Sequence, residues 1–450
     1  MAAVVGLGIN NQSLVPFLHE RGFHVIVADR ATKQTVQMRL EEVASGVPVT
    51  LLAGADYLEQ LAEQPRIDVM YLTPGMVKTG MVIAQLAQRG VHLTCETEEV
   101  LVHSPAPIIG ITGSAGKTTT TTLTGMILQK DRTVHSFIGG NIGRSLLPDI
   151  SAMQTHDHVI MELSSFQLEL VHHSPHGAAL LNITPNHLDM HGTFEAYQAA
   201  KSRIFRFQSP QDFLVVPWHD PVVDALTHSA RSQKIYFSGE EPVPIGSFVQ
   251  DGMIYWRNGE HEKKVISVHQ LHLPGRHNVL NALAAIALVQ QTGDFLEAAA
   301  EVLSSFQGVP HRLETVREYR GVRYINDSIA TAPERTEAAL KALQDPIVLI
   351  AGGYDKHLDY TAFGQAIYRS SVREVIVLGD TAEKIARAVA EASDTVPVTR
   401  VETFDQAVKE AARKARAGEI VLLSPASASY DMFRNFEERG QRFRDLVQQL

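Results

Sequence analysis

The sequence predicts an α/β protein with three domains in series, each built on a mainly parallel sheet. Three observations carry that prediction. Short continuous apolar or β-branched runs recur along the whole chain and end near Gly, Asp, Asn or Pro. Such runs mark parallel strands buried on both faces. Between them lie segments rich in Ala, Leu, Gln and Glu, suited to the crossover helices that parallel strands need. The length, 450 residues, exceeds what a single hydrophobic core usually holds together.

Taken in order, residues 1–98 form a Rossmann-like first domain, with strands expected at 2–6, 24–28, 69–73 and 91–94 and a helix over 79–89. Pro105 and Pro107 mark a linker. Residues 99–308 form a central domain, with strands at 108–112, 159–163 and 178–183. Its stretch 210–275 is a small β-rich part, with short strands at 213–216, 234–237 and 253–256, followed by an Ala/Leu-rich helix over 278–291. After the turn Gly308-Val309-Pro310, residues 309–450 form a second Rossmann-like domain, with strands at 322–325, 347–351, 374–378 and 419–423. Loops at the strand ends suggest ligand clefts between domains.

Composition narrows the function classes. Hydrophobic residues at 44% and charged residues at 20% exclude disorder, collagen and a coiled coil as the main architecture. Lys plus Arg number 40 against 50 Asp plus Glu, a net charge of −10. That leaves no overall basic footprint for nucleic acid, though one local phosphate site remains open. The single Cys95 forbids an internal disulfide and fits a reducing compartment. No basic segment followed by a long apolar run opens the chain, and no 18-residue apolar stretch occurs. A cytoplasmic protein without a signal peptide, spanning helix or membrane partner is expected.

The first chemical motif is Gly6-Leu7-Gly8-Ile9-Asn10-Asn11, with Asp29 further on where a ribose-binding acid would sit. Asn11 stands where the third fingerprint glycine would be. The fragment fits a bland βα turn or a nucleotide site, and does not distinguish NAD from another nucleotide. The strongest signal is Gly110-Ile111-Thr112-Gly113-Ser114-Ala115-Gly116-Lys117-Thr118-Thr119, between an apolar strand and a helical segment. Glycines let backbone N–H groups turn inward and the helix N-terminus adds positive potential. Lys117 can reach the outer phosphates, and the Thr118 hydroxyl can ligate Mg²⁺. Glu162 ends an apolar run and is placed to hold that metal. His187 and His191 are four residues apart, which leaves a zinc pair open on a helix. Taken alone, Lys201 is a solvated helix charge. Arg312 is either a hinge charge or a phosphate contact. Three strand ends, Asn326-Asp327-Ser328, Gly352-Gly353-Tyr354-Asp355-Lys356 and Ser424-Pro425-Ala426-Ser427-Ala428-Ser429, can form a carboxylate receptor, the last one opening a helix.

Together with Gly139-Gly140-Asn141-Ile142-Gly143, Ser164-Ser165-Phe166-Gln167-Leu168 and the ending Ser429-Tyr430-Asp431-Met432-Phe433-Arg434-Asn435-Phe436-Glu437-Glu438-Arg439-Gly440, these segments resemble the Mur ligases over nearly the whole chain. The Ser-Ser-Phe-Gln-Leu stretch and the ending resemble the D-glutamate-adding, MurD type. The resemblance implies ATP-dependent amide formation between UDP-N-acetylmuramoyl-L-alanine and D-glutamate, through an acyl phosphate, in peptidoglycan precursor synthesis. It thereby implies a part in cell-wall growth, cell shape and division. It places Gly113, Ser114, Ala115, Gly116, Lys117, Thr118, Thr119, Asn281, Arg312 and Asp327 on ATP. Thr118, Glu162, His187 and Lys201 fall on Mg²⁺, with Lys201 N6-carbamylated. The catalytic set is Lys117, Glu162, His187, Lys201 and Arg312. Gly8, Ile9, Asn10, Asn141, Ser164 and His187 fall on the sugar nucleotide, and Thr331, Lys356, Ser429, Tyr430 and Phe436 in the amino-acid pocket. A monomer acting on small molecules is expected.

Three departures stand out. The family segment N-D-S-K-A-T-N reads Asn326-Asp327-Ser328-Ile329-Ala330-Thr331-Ala332 here, which removes a cation and an amide near the reacting groups. Asn11 replaces a glycine, and Arg30-Ala31 replaces a uracil-side Thr-Arg. A sister ligase, a P-loop nucleotide switch and an NAD-dependent dehydrogenase built on the Gly6 turn are the rival readings.

Overall fold

The computed structural model describes residues 1–76, 80–142, 145–273, 275–356 and 358–450, with Ile9 described by its main chain alone. Thr79, at the edge of an expected helix, and Gly143 of the glycine-rich loop lie outside the described residues. The described strands form three sheets.

The first sheet holds β1 (Ala2–Val5), β2 (Val25–Asp29), β3 (Val49–Ala53), β4 (Val69–Leu72) and β5 (His92–Thr94). Its order is β3-β2-β1-β4-β5, parallel throughout. β1 lies in the middle, so the strand order reverses at its C-terminal end, where α/β sheets open a ligand crevice. The Gly6 turn sits at that end.

The central sheet holds β6 (Ile108–Thr112), β7 (Ser136–Gly140), β8 (His158–Glu162), β9 (Gly177–Leu180), β10 (Phe213–Pro217), β11 (Gln233–Ser238), β12 (Ile245–Gln250), β13 (Met253–Asn258) and β14 (His261–Ser267). The order is β14-β13-β12-β11-β10-β9-β6-β8-β7. Pairings from β7 to β12 are parallel, and β13 and β14 add an antiparallel edge. The β-rich stretch expected over 210–275 therefore continues the central sheet.

The last sheet holds β15 (Glu314–Tyr319), β16 (Val322–Asn326), β17 (Ile347–Gly352), β18 (Val372–Leu378), β19 (Val398–Arg400) and β20 (Ile420–Leu423), in the order β15-β16-β20-β17-β18-β19. Only β15 runs antiparallel. Its middle strands are buried on both faces. Ile347, Leu349 and Ala351 join one apolar core, while Val348 and Ile350 join another. That is the two-residue alternation of a strand with helices on both sides.

The chain divides into two compact units, Met1–Phe306 and Gln307–Leu450. One apolar core runs through the first unit, from Val4 and Ile26 of the first sheet to Met161 and Leu214 of the central one. One expected element moves. Ser424–Ser429 does not open a helix; the last helix is Phe436–Gln448, with Asn435 accepting the Glu438 N–H at 2.8 Å as its cap. The backbone after β20 turns left-handed at Ala426 (φ 56°) and pairs Ala428 with Tyr354, so helical geometry cannot start there.

Candidate functional site

The loop between β6 and helix Lys117–Leu128 has the form of a phosphate cradle and is held from behind. Gly116 caps the helix at φ +85°, and a Cβ there would lie 2.3 Å from Asn281 Oδ1. Asn281, buried in helix Arg276–Val289, thus backs the loop. Gly116→Ala is expected to weaken ATP binding at least about tenfold, through strain and displacement of the loop. Isothermal titration with an ATP analogue checks this, and unchanged affinity would show that the loop tolerates the shift.

Ser114 and Ala115, expected on the phosphates, are stitched to the segment after β9. Ser114 N–H donates to Asn182 O at 3.0 Å, and Ala115 N–H to Asn182 Oδ1 at 2.9 Å. Asn182 Nδ2 returns a bond to Ala115 O at 3.0 Å. The Ser114 hydroxyl donates to Thr184 O at 3.0 Å, accepts from Thr184 N–H at 2.9 Å and lies 2.9 Å from the Tyr197 hydroxyl. The N–H groups of Lys117, Thr118 and Thr119 lie ahead of the first helical bond, Thr120 N–H to Gly116 O at 2.9 Å. They form the anion-facing first turn. Lys117 Nζ donates to Gly113 O at 2.8 Å and Ser114 O at 3.3 Å, so its ammonium lies over the loop.

Glu162 ends β8 in register with Ile111 and is 3% exposed. Its Oε1 accepts from Asn141 Nδ2 at 2.7 Å, and its carbonyl accepts the Asn141 N–H at 2.8 Å. Oε2 is buried with no hydrogen-bond partner. A carboxylate oxygen left this way is costly unless a cation meets it. Thus Asn141, expected on the substrate, also aims Glu162.

Lys201 is not the solvated charge that it reads as in isolation. It is 1% exposed, on helix Phe194–Arg206, and donates to Thr112 Oγ1 at 3.1 Å and Gly113 O at 3.0 Å. Burial, then the like charge of Lys117, hold its pKa well below the usual lysine value, against the pull of Glu162. Tyr197, one turn earlier on the same helix, lies under the ammonium at 5.0 Å. The four-residue spacing of Tyr197 and Lys201 is the sequence signal that could have found this tyrosine.

His187 takes left-handed backbone (φ 52°) and caps the short helix Leu188–His191. Burial lowers its pKa, and Lys117 and Lys201 lower it further against Asp189. The imidazole is therefore neutral near pH 7, the form that binds metals. A zinc pair is not what the two histidines build. Their rings pack on Phe166, with centroids 5.2 and 5.0 Å away, and His191 Nε2 lies 2.9 Å from Ser165 Oγ. Ser164 uses its hydroxyl in a capping box with Gln167. Among the described residues no three His, Cys, Asp or Glu side chains gather as a metal site. The partnerless Glu162 Oε2 and the neutral His187 imidazole nonetheless suit Mg²⁺ chemically, an ion that takes few protein ligands beside phosphate oxygens.

At the Gly6 turn (φ +80°), Asp29 is a brace. Its Oδ2 accepts the Leu7 N–H at 2.6 Å and its Oδ1 the Ala31 N–H at 2.7 Å. Both oxygens thus accept main-chain N–H groups and brace the turn. Asn11 is buried in the third-glycine place. Its Nδ2 donates to Gly6 O at 2.9 Å, Thr73 Oγ1 at 3.2 Å and Val5 O at 3.3 Å, which ties the turn to the end of β4. Gly8 caps the helix Ile9–Gln12, and the Ile9 side chain lies outside the described residues.

In the second unit two of the three strand-end loops are tied together by Arg439, a residue not singled out from the sequence. It is 2% exposed. It donates to Ser328 Oγ at 3.0 Å and Ser328 O at 2.9 Å, after β16, and to Ser427 O at 3.1 Å and Ala428 O at 3.0 Å, after β20. Burial pushes its pKa down to about 9, against the pull of Asp431. Arg439→Met should destabilise this unit by about 3 kcal/mol, because four acceptors lose a charged donor. An unchanged thermal midpoint would remove the bundling role.

Lys356 is held below the usual lysine value by burial, then by Arg335 and Arg439. Two guanidinium groups thus bear on Lys356, an arrangement that a carboxylate ligand relieves. Arg335 Nη1 donates to Ile329 O at 3.3 Å. Asp327 is buried, with Oδ2 accepting from Ser424 Oγ at 2.7 Å and Oδ1 from Leu313 N–H at 3.2 Å. Burial pushes it up to about 6 against those bonds and Arg312. Ser429 is buried, and its carbonyl accepts from Phe433 N–H at 2.8 Å. Tyr430 is exposed, 5.8 Å from the Tyr354 ring. The Phe436 carbonyl accepts from Ser328 Oγ at 2.8 Å, and Thr331 N–H donates to Ile329 O at 2.9 Å.

A strand, a glycine loop, a Lys-Thr helix start and a buried strand-end carboxylate define a P-loop nucleotide-binding α/β protein. The chain belongs to the Mur ligase family: residues 111–289 match the Mur ligase middle domain, 311–427 the Mur ligase glutamate ligase domain and 1–95 the MurD-like N-terminal domain. A UDP-N-acetylmuramoylalanine–D-glutamate ligase of Symbiobacterium thermophilum is 45% identical over 453 residues, spanning 100% of this chain and 98% of the relative. One of the same name from Acetivibrio thermocellus is 39% identical over 99% and 95% of the two chains. Among solved structures, a murein peptide ligase of Psychrobacter arcticus (TM-score 0.51, 18% identity, 100% and 99% covered) shares the fold. So does the UDP-N-acetylmuramate-alanine ligase of Thermotoga maritima (TM-score 0.51, 19% identity, 100% and 99% covered). Among the described residues no helix is long and apolar enough to cross a membrane.

Proposed function

We propose that this chain is an ATP-dependent ligase that joins UDP-N-acetylmuramoyl-L-alanine to D-glutamate in peptidoglycan precursor synthesis, working as a cytoplasmic monomer. Residues 1–98 hold the uridine diphosphate end, 99–308 hold ATP, and 309–450 hold the amino acid. The full-length relatives with that name support the reading. The observation that carries it is the pairing of Glu162, whose Oε2 has no partner, with a desolvated Lys201 behind a P-loop.

The substrate carboxylate attacks the ATP γ-phosphorus and ADP leaves. The D-glutamate amine then attacks the acyl carbon, and phosphate leaves as the amine gives up its proton. A carboxylate is a poor electrophile, so phosphorylation supplies the leaving group. The protein's work is alignment of anions and charge screening. Lys117 and the first helical turn hold the outer phosphates, and Arg312 and Asp327 serve the nucleotide. Mg²⁺ held by Thr118, Glu162, His187 and Lys201 would screen phosphate charge. Lys201 would join that set as its carbamate: the neutral amine adds to CO₂, one proton leaves, and a neutral group becomes an anion. Lys356, Thr331, Ser429, Tyr430 and Phe436 line the amino-acid pocket. Arg335, at the Ile329 carbonyl, supplies the cation that Ile329 lacks.

The test is ATP-dependent phosphate release with UDP-N-acetylmuramoyl-L-alanine against a panel of D- and L-amino acids. Release that requires both the nucleotide and D-glutamate is expected. Release with a different amino acid would move the assignment to the pocket around Ile329 and Ala332. No release from a protein that binds ATP would replace the ligase with a sister enzyme or a switch.

A further inference from the structure

The join between the first and central sheets holds a buried polar chain. Cys95, Glu96, Thr97 and Glu98 are all buried where helix Glu96–His103 begins. Their side chains reach segments that follow strands of the central sheet: the loop at Ser145, the short helix at Gln167 and the loop at His172. Glu96 is bonded to the Ser145 hydroxyl. Thr97 Oγ1 accepts from Gln167 Nε2 at 3.0 Å, and Glu98 Oε2 accepts the His172 N–H at 2.9 Å. Ser145 Oγ accepts the Leu147 N–H at 3.1 Å and lies 3.1 Å from Ser13 Oγ. Ser13 Oγ donates to Asn10 O at 2.9 Å. A line of hydrogen bonds thus runs from a buried carboxyl to the carbonyl of Asn10, in the short helix that follows the Gly6 turn.

The proton count of that line depends on Glu96. A hydroxyl carries one proton. With Glu96 ionised, Ser145 gives its proton to the carboxylate and Ser13 gives its own to Asn10. The two hydroxyl oxygens then face each other with no proton between them. With Glu96 neutral, its O–H donates to Ser145, Ser145 to Ser13 and Ser13 to Asn10, so every link is filled. Burial favours the neutral form and pushes Glu96 up to about 7, although bonds with Ser145 and Thr97 pull it down. Glu99, the charged group on the same helix that acts on it, pushes the same way. The neighbouring Cys95 thiol is pushed up to about 12 and carries no charge in this range. What meets Glu96 from the segment after β7 is the Ser145 hydroxyl.

We propose that Glu96 is a positioning residue that sets the Gly8–Asn10 turn for the sugar nucleotide, through a proton-dependent relay Glu96–Ser145–Ser13–Asn10. This rests on the reading that the Gly6 turn holds the uridine diphosphate end. The relay is complete below the Glu96 pKa and is broken as pH rises through about 7.

The experiment is calorimetric titration of UDP-N-acetylmuramoyl-L-alanine into the full chain at a series of pH values from about 6 to about 8. The parent's dissociation constant should rise about threefold to tenfold across that range, the size of one lost hydrogen bond. Glu96→Gln places an amide donor on Ser145 at every pH and should stay at the tight value throughout. Ser145→Ala should stay at the weak value, with KM for ATP and D-glutamate unmoved. A pH-independent parent, or Glu96→Gln keeping the parent's slope, would overturn the relay. If Ser145→Ala does not fold, Ser13→Ala breaks the same line from its other end. Because the titration reads binding, a parent that binds the nucleotide yet releases no phosphate sinks the ligase reaction and leaves the relay standing. A parent that does not bind it overturns the relay.

Discussion

Lys117→Ala should lower ATP-dependent phosphate release by at least about 10³-fold, about 4 kcal/mol of transition-state stabilisation. The ammonium lies 2.8 Å from Gly113 O, over the loop that would cradle the phosphates. Ser114 and Asn182 are engaged in holding the loop closed on itself, and Lys201, on the same Gly113 carbonyl, is held by burial well below the usual lysine value. The loss should fall on kcat more than on KM, because charge on the γ-phosphate oxygens is redistributed in the transition state. Steady-state kinetics with saturating ATP read the split. Activity within a few-fold of the parent would remove the P-loop assignment.

Lys201→Ala should be nearly inactive, by about 10²-fold or more, and partly rescued by short carboxylic acids such as formate or acetate. The parent amine is desolvated and close to the Lys117 charge, so it remains neutral far below the usual lysine range. Only the neutral amine adds to CO₂. The sign of the pH dependence follows: carbamate formation holds above the lowered pKa and is lost as pH falls through it. Removing dissolved CO₂ should therefore reduce activity in the parent and leave Lys201→Ala unaffected. Full activity in the plain mutant would show that no carbamate is required.

Most of the interior strands were legible because parallel strands covered on both faces must be apolar at nearly every position. Those missed were mainly sheet edges: β3, β7, β14, β15 and β19. An edge strand is free of that demand. In β14 the residues His261 to Lys264 are exposed, and in β3 only Leu52 is buried. β12 was missed for another reason: Gly246 breaks its apolar run, and a Cβ there would lie 1.8 Å from Tyr236 O. The P-loop was legible because its function is built into main-chain conformation, which glycines and a Lys-Thr pair announce locally.

Roles that depend on distant partners were hidden. Lys201 reads as a helix charge until the fold sets it against Thr112 and Gly113. Asp29 reads only as a ribose acid, and the fold adds that each of its oxygens accepts a main-chain N–H and braces the Gly6 turn. Arg439 and Glu96 look like ordinary helix charges, and each is buried at a junction of segments far apart in sequence.

From composition, hydrophobic period and local motifs alone follow the α/β class, the order of its parts and the phosphate loop, since these depend on residues near one another along the chain. Tertiary structure alone decided which polar side chains lost their water. Burial and neighbouring like charge, absent from any local pattern, make Lys201 a candidate ligand and keep the His187 imidazole neutral, and burial leaves Glu162 Oε2 without a hydrogen-bond partner.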